Sequence, residues 1–548
     1  MPESLPDSPV PVPLGDFDPP DLQRWLNEEM QTLRLGDKRL NKRCRLLLHR
    51  LCRHPNFKFN AASSNRYEAK AAYSFVDHGR LTEQDILAPH FASTLQRIRQ
   101  HPVVVLANDT TENDLTRPKE RVLDAGPLND ADRWGLFVHP TLALTPEGVP
   151  LGLTDVFIWA RDPDTFDRPA AEKAAQRKSL PIEEKESIRW INSYQQACEV
   201  ARACPATQVI YVCDSEGDIF ELFFTAAPVE GIKKADWINR ACQDRALKRL
   251  DADAPAPVGT LFKEVGSAAV LATAEVQVSE RLPKTGDGRK RKQARKARKA
   301  VVTIQAKRVK LRVPPRPDSG GQSAFEQMSD VTVNAVLVRE VNPPEGEEAI
   351  EWLLLTSLPI DTLEQVQRVV RTYCVRWQIE IYFRVLKSGC EVEKSQLETA
   401  GRYRNYLGLC LIVAWRVMHL TMLGRNCPEM SCEEVLEKDE WQAVYTVVKQ
   451  MAPPAQAPPL GEMVLLLAAL GGYLGRPSDG EPGPKAVWRG LQRLSDLLLG
   501  WRAREATLAG QGTRVASGEK TRSDADVSTR PKKDRYEQMS FTAPFSLN

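Results

Sequence analysis

The sequence predicts an α/β core set between two helical regions, and three observations predict it. Two short apolar runs with strand-like composition, "VVVLAND" and "VIYVCD", each end in an acid, Asp109 and Asp214. Between them lie a meander-like stretch with a Pro-Glu-Gly turn, "WGLFVHPTLALTPEGVPLGLTDVFIWAR", and an amphipathic helix, "IEEKESIRWINSYQQACEVARAC". On either side of this region the apolar period is helical. Strands in a meander, then a helix, then a strand make an α/β layout.

Taken in order, residues 1–20 are Pro-rich and acidic, which predicts a disordered arm; no apolar h-region makes them a signal peptide. Residues 21–98 read as helices. Leu35, Leu40, Leu47 and Leu51 form an apolar stripe, and Lys38, Arg39, Lys42, Arg43 and Arg45 give the rest a cationic surface. Gly36 marks a helix-start turn that aims Arg39 and Arg43 outward. Residues 99–390 hold the α/β region. Within it a β-rich insertion, about 240–350, carries "AVVTIQAKRVKLRVP" and "VTVNAVLVREVNPP". "EWLLLTSLP" is one more strand, and "TLEQVQRVVRTYCVRWQIEIYFRVLKSG" reads as a single long helix. Residues 391–505 are mainly helical. Their apolar run "YLGLCLIVAW", closed by Arg416, is too short for a bilayer, which needs about 20 residues, and reads as a buried helix. Residues 506–548 are polar and predicted disordered. The chain shows no internal repeat.

A length of 548 residues and an apolar fraction of 42% allow several cores, and a net charge of +3 names no partner by itself. The charge is uneven. Residues 284–299, "KTGDGRKRKQARKARK", hold nine Lys or Arg and one Asp, with Arg289, Lys290, Arg291 and Lys292 as the densest run. That density suits a nucleic-acid loop or a solvated linker. The eleven cysteines have no C-x-x-C pair or regular spacing, which argues against a disulfide framework or zinc module and for a reducing cytosol; with the longest apolar run too short for a bilayer, the expectation is a cytoplasmic protein that meets no membrane.

Asp109 and Asp214 at strand ends fall where open sheets bind ligands, although such acids are more often turn or cap residues. Glu216 and Asp218 lie close enough to Asp214 to be alternative ligands or caps. On the later helix, Tyr373, Arg376, Glu380, Arg384 and Lys387 are spaced three, four, four and three apart, which keeps all five on one face. Val375, Trp377, Ile379 and Leu386 are then free to cover an apolar face. A third acid from that helix completes an oxygen cage for a hard cation such as Mg²⁺. A surface helix with two salt bridges is the other reading of the same spacing.

Taken as a set, these motifs resemble the cut-and-paste transposases of bacterial insertion sequences, with their Asp-Asp-Glu triad and Tyr-x2-Arg-x3-Glu-x6-Lys signature. Tyr373, Arg376, Glu380 and Lys387 match the signature without a gap, "NDTT" carries Asp109 and "VCDSEGDI" carries Asp214. The resemblance runs from about Leu35 to Trp501. It implies a ribonuclease-H-like catalytic core with the β-insertion, a helical N-terminal domain that binds the element's ends, and a C-terminal dimerisation domain. It implies a triad of Asp109, Asp214 and Glu380 holding two Mg²⁺ or Mn²⁺ ions. Tyr373, Arg376, Lys387 and Arg384 would hold DNA phosphates, and Trp352 would stack on a flipped base with Arg240 beside its pocket. Arg39, Arg43 and the 289–292 run would contact DNA. The implied reaction is nicking by water, hairpin formation by the freed 3′-hydroxyl, hairpin opening and attack on target DNA, by a homodimer bridging paired double-stranded ends at the bacterial nucleoid. The rivals are an inactive transposase-derived DNA-binding regulator and a ribonuclease-H-like nuclease without strand transfer.

Overall fold

The computed structural model describes residues 20–500 apart from 54–58, 60–62, 64, 118–119, 131, 167–168, 170, 173–179, 251–258, 279–295, 316–324, 326, 348, 477, 495 and 499. The expected arm up to residue 19, the tail and the 289–292 cations lie outside the described residues. The chain divides into two compact units, Met1–Leu498 and Leu499–Asn548, and the twelve strands and the helices through Leu470 belong to the first.

Four helices open it: α1 (Pro20–Glu29), α2 (Lys38–Arg53), α3 (Arg66–Val76) and α4 (Glu83–Ile98). Pro20 stands at a first helical position, where its missing N–H costs nothing. The Asn65 and Thr82 side chains cap α3 and α4 by accepting the N–H groups of Glu68 and Asp85. Gly36 takes a left-handed φ of 76°, which lets the chain turn into α2. Leu47 and Leu51 of the expected stripe are buried, with Leu35 and Leu40 packed at its edge.

The strands are β1 (Val103–Asn108), β2 (Thr111–Asp114), β3 (Gly126–Pro127), β4 (Trp134–Leu144), β5 (Pro150–Trp159), β6 (Gln208–Cys213), β7 (Asp236–Ala241), β8 (Leu247–Lys248), β9 (Val270–Val278), β10 (Arg298–Leu311), β11 (Val331–Glu340) and β12 (Glu351–Thr356). All twelve join one mixed sheet. At one end the order is β5-β4-β1-β6-β7, with β4 antiparallel to β1 and β5, and β1, β6 and β7 parallel. The β-rich stretch does not stand apart. β12 pairs with β7, then β11 and β10 follow, all antiparallel, so the insertion extends the same sheet.

Alternate residues of β1 feed two cores, as pleating requires. Val104 and Leu106 face α5 (Ile188–Ala203) and α6 (Phe220–Ala226), where Trp190, Tyr194 and Phe223 are buried. Val105 and Ala107 face the other core, which continues through the N-terminal helices and α10 (Ala400–Asn426). Each such fully buried Val or Leu contributes about 1.5–3 kcal/mol relative to exposure. A short helix, α7 (Leu261–Gly266), packs on β10. Helix α10 is 27 residues long and apolar enough to cross a membrane by length and composition; 83% of its most apolar window is buried inside the protein. It passes to α11 (Lys438–Lys449) and α12 (Leu460–Leu470), which share a third core with Leu420. Gly424 permits the close approach of α12, since a Cβ there would lie 2.4 Å from Val464 Cγ2.

The expected single helix over 362–389 is instead three pieces: α8 (Leu363–Val375), α9 (Gln378–Arg384) and a π turn, Val385–Gly389. The N–H groups of Arg376, Trp377, Ile379 and Glu380 reach back three residues, which tightens the join. That of Cys390 reaches back five, to Val385, which loosens the end. The four signature residues and Arg384 therefore do not share one face: Tyr373 and Arg376 are buried and Arg384 is exposed, and Trp377, expected to cover an apolar face, is 47% exposed.

Candidate active site

The site begins where the ladder breaks. β4 pairs with β1 through its 141–144 half and with β2 through its 135–138 half. Only Asp109 and Thr110 leave the ladder between them. In the parallel pair, Ala107 lies opposite Val212, so Asp109 and Asp214 emerge at the same end, two residues further on. Backbone N–H groups orient both acids: Thr110 donates to Asp109 Oδ1 at 2.8 Å and Glu216 to Asp214 Oδ1 at 2.9 Å. Arg376 then joins the sheet to the signature helix. Its Nη1 donates to Asp109 Oδ2 at 2.9 Å and its Nη2 to Glu380 Oε1 at 3.1 Å. The Arg376 side chain is 6% exposed and that of Glu380 40%, so the latter lies on the open side.

The acids crowd one another. Burial and then the Asp214 charge push the Asp109 carboxyl up to about 7, against Arg376 and the Thr110 N–H, with Glu380 adding to the rise. Burial alone would lower the Arg376 guanidinium, but Tyr373, Asp109, Asp214 and Glu380 together hold it above its usual range. Three carboxylates with one buried cation leave an excess of negative charge, and carboxylate oxygens suit a hard divalent ion. Among the described residues no group of three His, Cys, Asp or Glu already converges as a cage. Arg376 stands between two of the three acids, Asp109 and Glu380. The donor chemistry fits such an ion even so.

The other expected residues fall in distinct places. Tyr373 is buried, with its ring centroid 6.3 Å from that of Trp352 and 5.9 Å from Arg376 Cζ. Trp352, on β12, is half-buried. Arg240 is half-buried opposite Leu354, and its charge acts on the Tyr373 phenol, which burial pushes up. Arg384 is exposed and makes no hydrogen bond or ion pair among the described residues. Lys387, on the π turn, points to Glu393 at 3.5 Å, the same Oε1 that accepts the Asp114 N–H. Arg39 is exposed and Arg43 half-buried on α2. Asp218 is neither ligand nor cap for α6: its buried carboxylate takes the N–H groups of Cys242 and Gln243 and the Arg245 guanidinium.

Two residues beside the site are not announced by the sequence. Trp377 stands beside Arg376, whose Cζ is 5.5 Å from its ring centroid; an aromatic inside the signature was the available signal. Arg189, on α5, donates from Nε to Thr110 Oγ1 at 3.0 Å and from Nη2 to Glu216 Oε2 at 2.7 Å. Nothing in "ESIRWIN" marks it.

Three domain families match the chain: Transposase DNA-binding over residues 22–81, Transposase DDE domain over 229–416, and Transposase Tn5 dimerisation domain over 412–509. The DDE match includes Arg376 and Glu380, while Asp109 and Asp214 precede it. Among solved structures, a cryo-EM structure of a piggyBac transposase synaptic complex with hairpin DNA is similar at 10% identity, over 63% of this chain and 52% of that one, with a TM-score of 0.28. The chain thus spans about half the length of that protein.

Proposed function

We propose that this chain, which carries the DNA-binding, DDE and dimerisation domains of a transposase, excises and inserts a mobile DNA element by metal-dependent strand cleavage and strand transfer. The observation that carries the reading is the Asp109–Arg376–Glu380 bridge, which brings the signature helix to the sheet end where Asp214 also emerges. The β5-β4-β1-β6-β7 order, with one antiparallel arm and one parallel arm, supports a ribonuclease-H-like core. The signature supports membership of the bacterial insertion-sequence group and action in the cytoplasm at the nucleoid.

Asp109, Asp214 and Glu380 would hold Mg²⁺ or Mn²⁺, two ions per site. Such ions, when bound, activate an attacking oxygen and stabilise the leaving one. The chain's own residues do the rest. The N-terminal helices, with Arg39 and Arg43, hold the duplex by its phosphates, and the 289–292 cations add to this. Arg376 and the exposed Arg384 orient the scissile phosphate by charge-assisted hydrogen bonds. Tyr373 and Arg240 shape the wall behind it, and Lys387 reaches the same backbone on leaving Glu393. Trp352 and Trp377 offer faces for an unpaired base when one strand folds back as a hairpin. Each step is an in-line attack on a phosphodiester, first by water, then by the freed 3′-hydroxyl, again by water, and last on target DNA. The C-terminal helices pair two chains so that two ends are cut together.

The test incubates the full chain with DNA carrying the sequences that flank its coding region, with Mg²⁺. Nicks, hairpins and joined products are expected. Tight binding with no cleavage in Mg²⁺ or Mn²⁺ would leave a DNA-binding regulator, and cleavage without joining would leave a nuclease.

A further inference from the structure

We infer that Arg189 is a positioning residue that sets the separation of Asp109 and Asp214. Thr110 and Glu216 are the residues whose backbone N–H groups hold those two carboxylates, and Arg189 ties their side chains together. The link comes from outside the sheet, on α5. It therefore fixes the two strand-end turns against each other, in addition to the ladder between β1 and β6.

Arg189 is itself held. Its Nη1 donates to the Glu186 carbonyl at 2.9 Å, and its Cζ lies 5.3 Å from the Trp159 ring centroid and 5.4 Å from that of Trp190. Its side chain is 10% exposed, a costly place for a charge unless the charge is used. Thr110 Oγ1 is fixed from the other side by His139 Nδ1 at 2.9 Å, and His139 is fully buried. A planar guanidinium suits this task because its nitrogens address two acceptors in fixed directions, which a lysine ammonium on a flexible stem does not. Residues that orient metal-binding side chains from behind typically change metal affinity about 10–100-fold when altered.

The positioning role rests on the proposed triad, and one experiment separates the two. Mn²⁺ binding to the full-length protein is measured by titration calorimetry or by loss of free-Mn²⁺ spin resonance, without DNA. Arg189→Lys and Thr110→Val should each weaken Mn²⁺ by about tenfold, while Thr110→Ser, which keeps the hydroxyl, stays near wild type. Cleavage by Arg189→Lys should recover at raised Mn²⁺, which a purely structural defect would not allow. Should Arg189→Lys not fold, Thr110→Val breaks the same link and leaves the Arg189–Glu216 pair in place. Unchanged Mn²⁺ affinity in both variants, with binding lost in Asp109→Asn, would overturn the positioning role and leave the triad standing. Mn²⁺ binding indifferent to Asp109→Asn as well would overturn the triad and the positioning role with it.

Discussion

Replacing Asp109 by Asn should stabilise the metal-free protein at alkaline pH while abolishing cleavage. Burial and Asp214 raise the folded carboxyl from 3.8 to about 7. Folding therefore favours the protonated acid. That contribution is complete below the unfolded value near 4, shrinks as pH rises toward 7, and is gone above it. A rise from 3.8 to about 7, at about 1.36 kcal/mol for each tenfold change in proton affinity, gives on the order of 4 kcal/mol, with Asp109 mostly buried at 17% exposed. Asn imitates the protonated acid, so its advantage should be near zero at pH 4, grow through pH 5 and 6, and level off above pH 7. Urea unfolding of both proteins across pH 4–9 with chelator measures it. A variant less stable than wild type at pH 8 would mean that the Arg376 pair outweighs burial and Asp214.

Other consequences follow from the same contacts. Arg376→Gln removes the cation that opposes the rise at Asp109, so the rising limb of the pH–cleavage profile should move to higher pH; an unmoved limb would separate Arg376 from Asp109. Trp377→Ala should leave stability nearly unchanged and weaken binding of unpaired DNA about tenfold, the equivalent of one stacked base, whereas a large stability loss would make it a packing residue. Asp218→Ala leaves buried Arg245 without its carboxylate, though still donating to the residue 218 carbonyl, and should cost about 3–5 kcal/mol in chemical denaturation; a loss below about 1 kcal/mol would show that the 242–245 loop does not depend on it.

Much of this arrangement is legible in the chain itself. The apolar runs to Asp109 and Asp214 announce strand ends, and the Arg376–Glu380 spacing of four announces a pair across one helical turn. What the sequence hides is long-range. The helix tightens at Arg376, whose side chain reaches an acid 267 residues earlier, and no local period records that partner. The same turn leaves Trp377 in solvent. Strands of the insertion are readable from composition, but their place in the main sheet depends on β12 meeting β7, Leu353 opposite Ala241. Beyond Arg384 the π turn closes its hydrogen bond over five residues instead of four, which carries Lys387 off the spacing of an α-helix. Arg189 is invisible for a related reason: its meaning lies in Thr110 and Glu216, which only the folded chain brings together.

Asp109, Asp214 and Glu380 are proposed to perform metal-dependent strand cleavage together. The most direct measurement compares wild type with Asp109→Asn, Asp214→Asn and Glu380→Gln on end-labelled DNA carrying the flanking sequences, with binding and cleavage followed in the same samples across a Mg²⁺ series. All three variants should bind the DNA as tightly as wild type, to within a few-fold, and produce no nick at any Mg²⁺ concentration. Near-normal nicking by any one of them would remove that acid from the site.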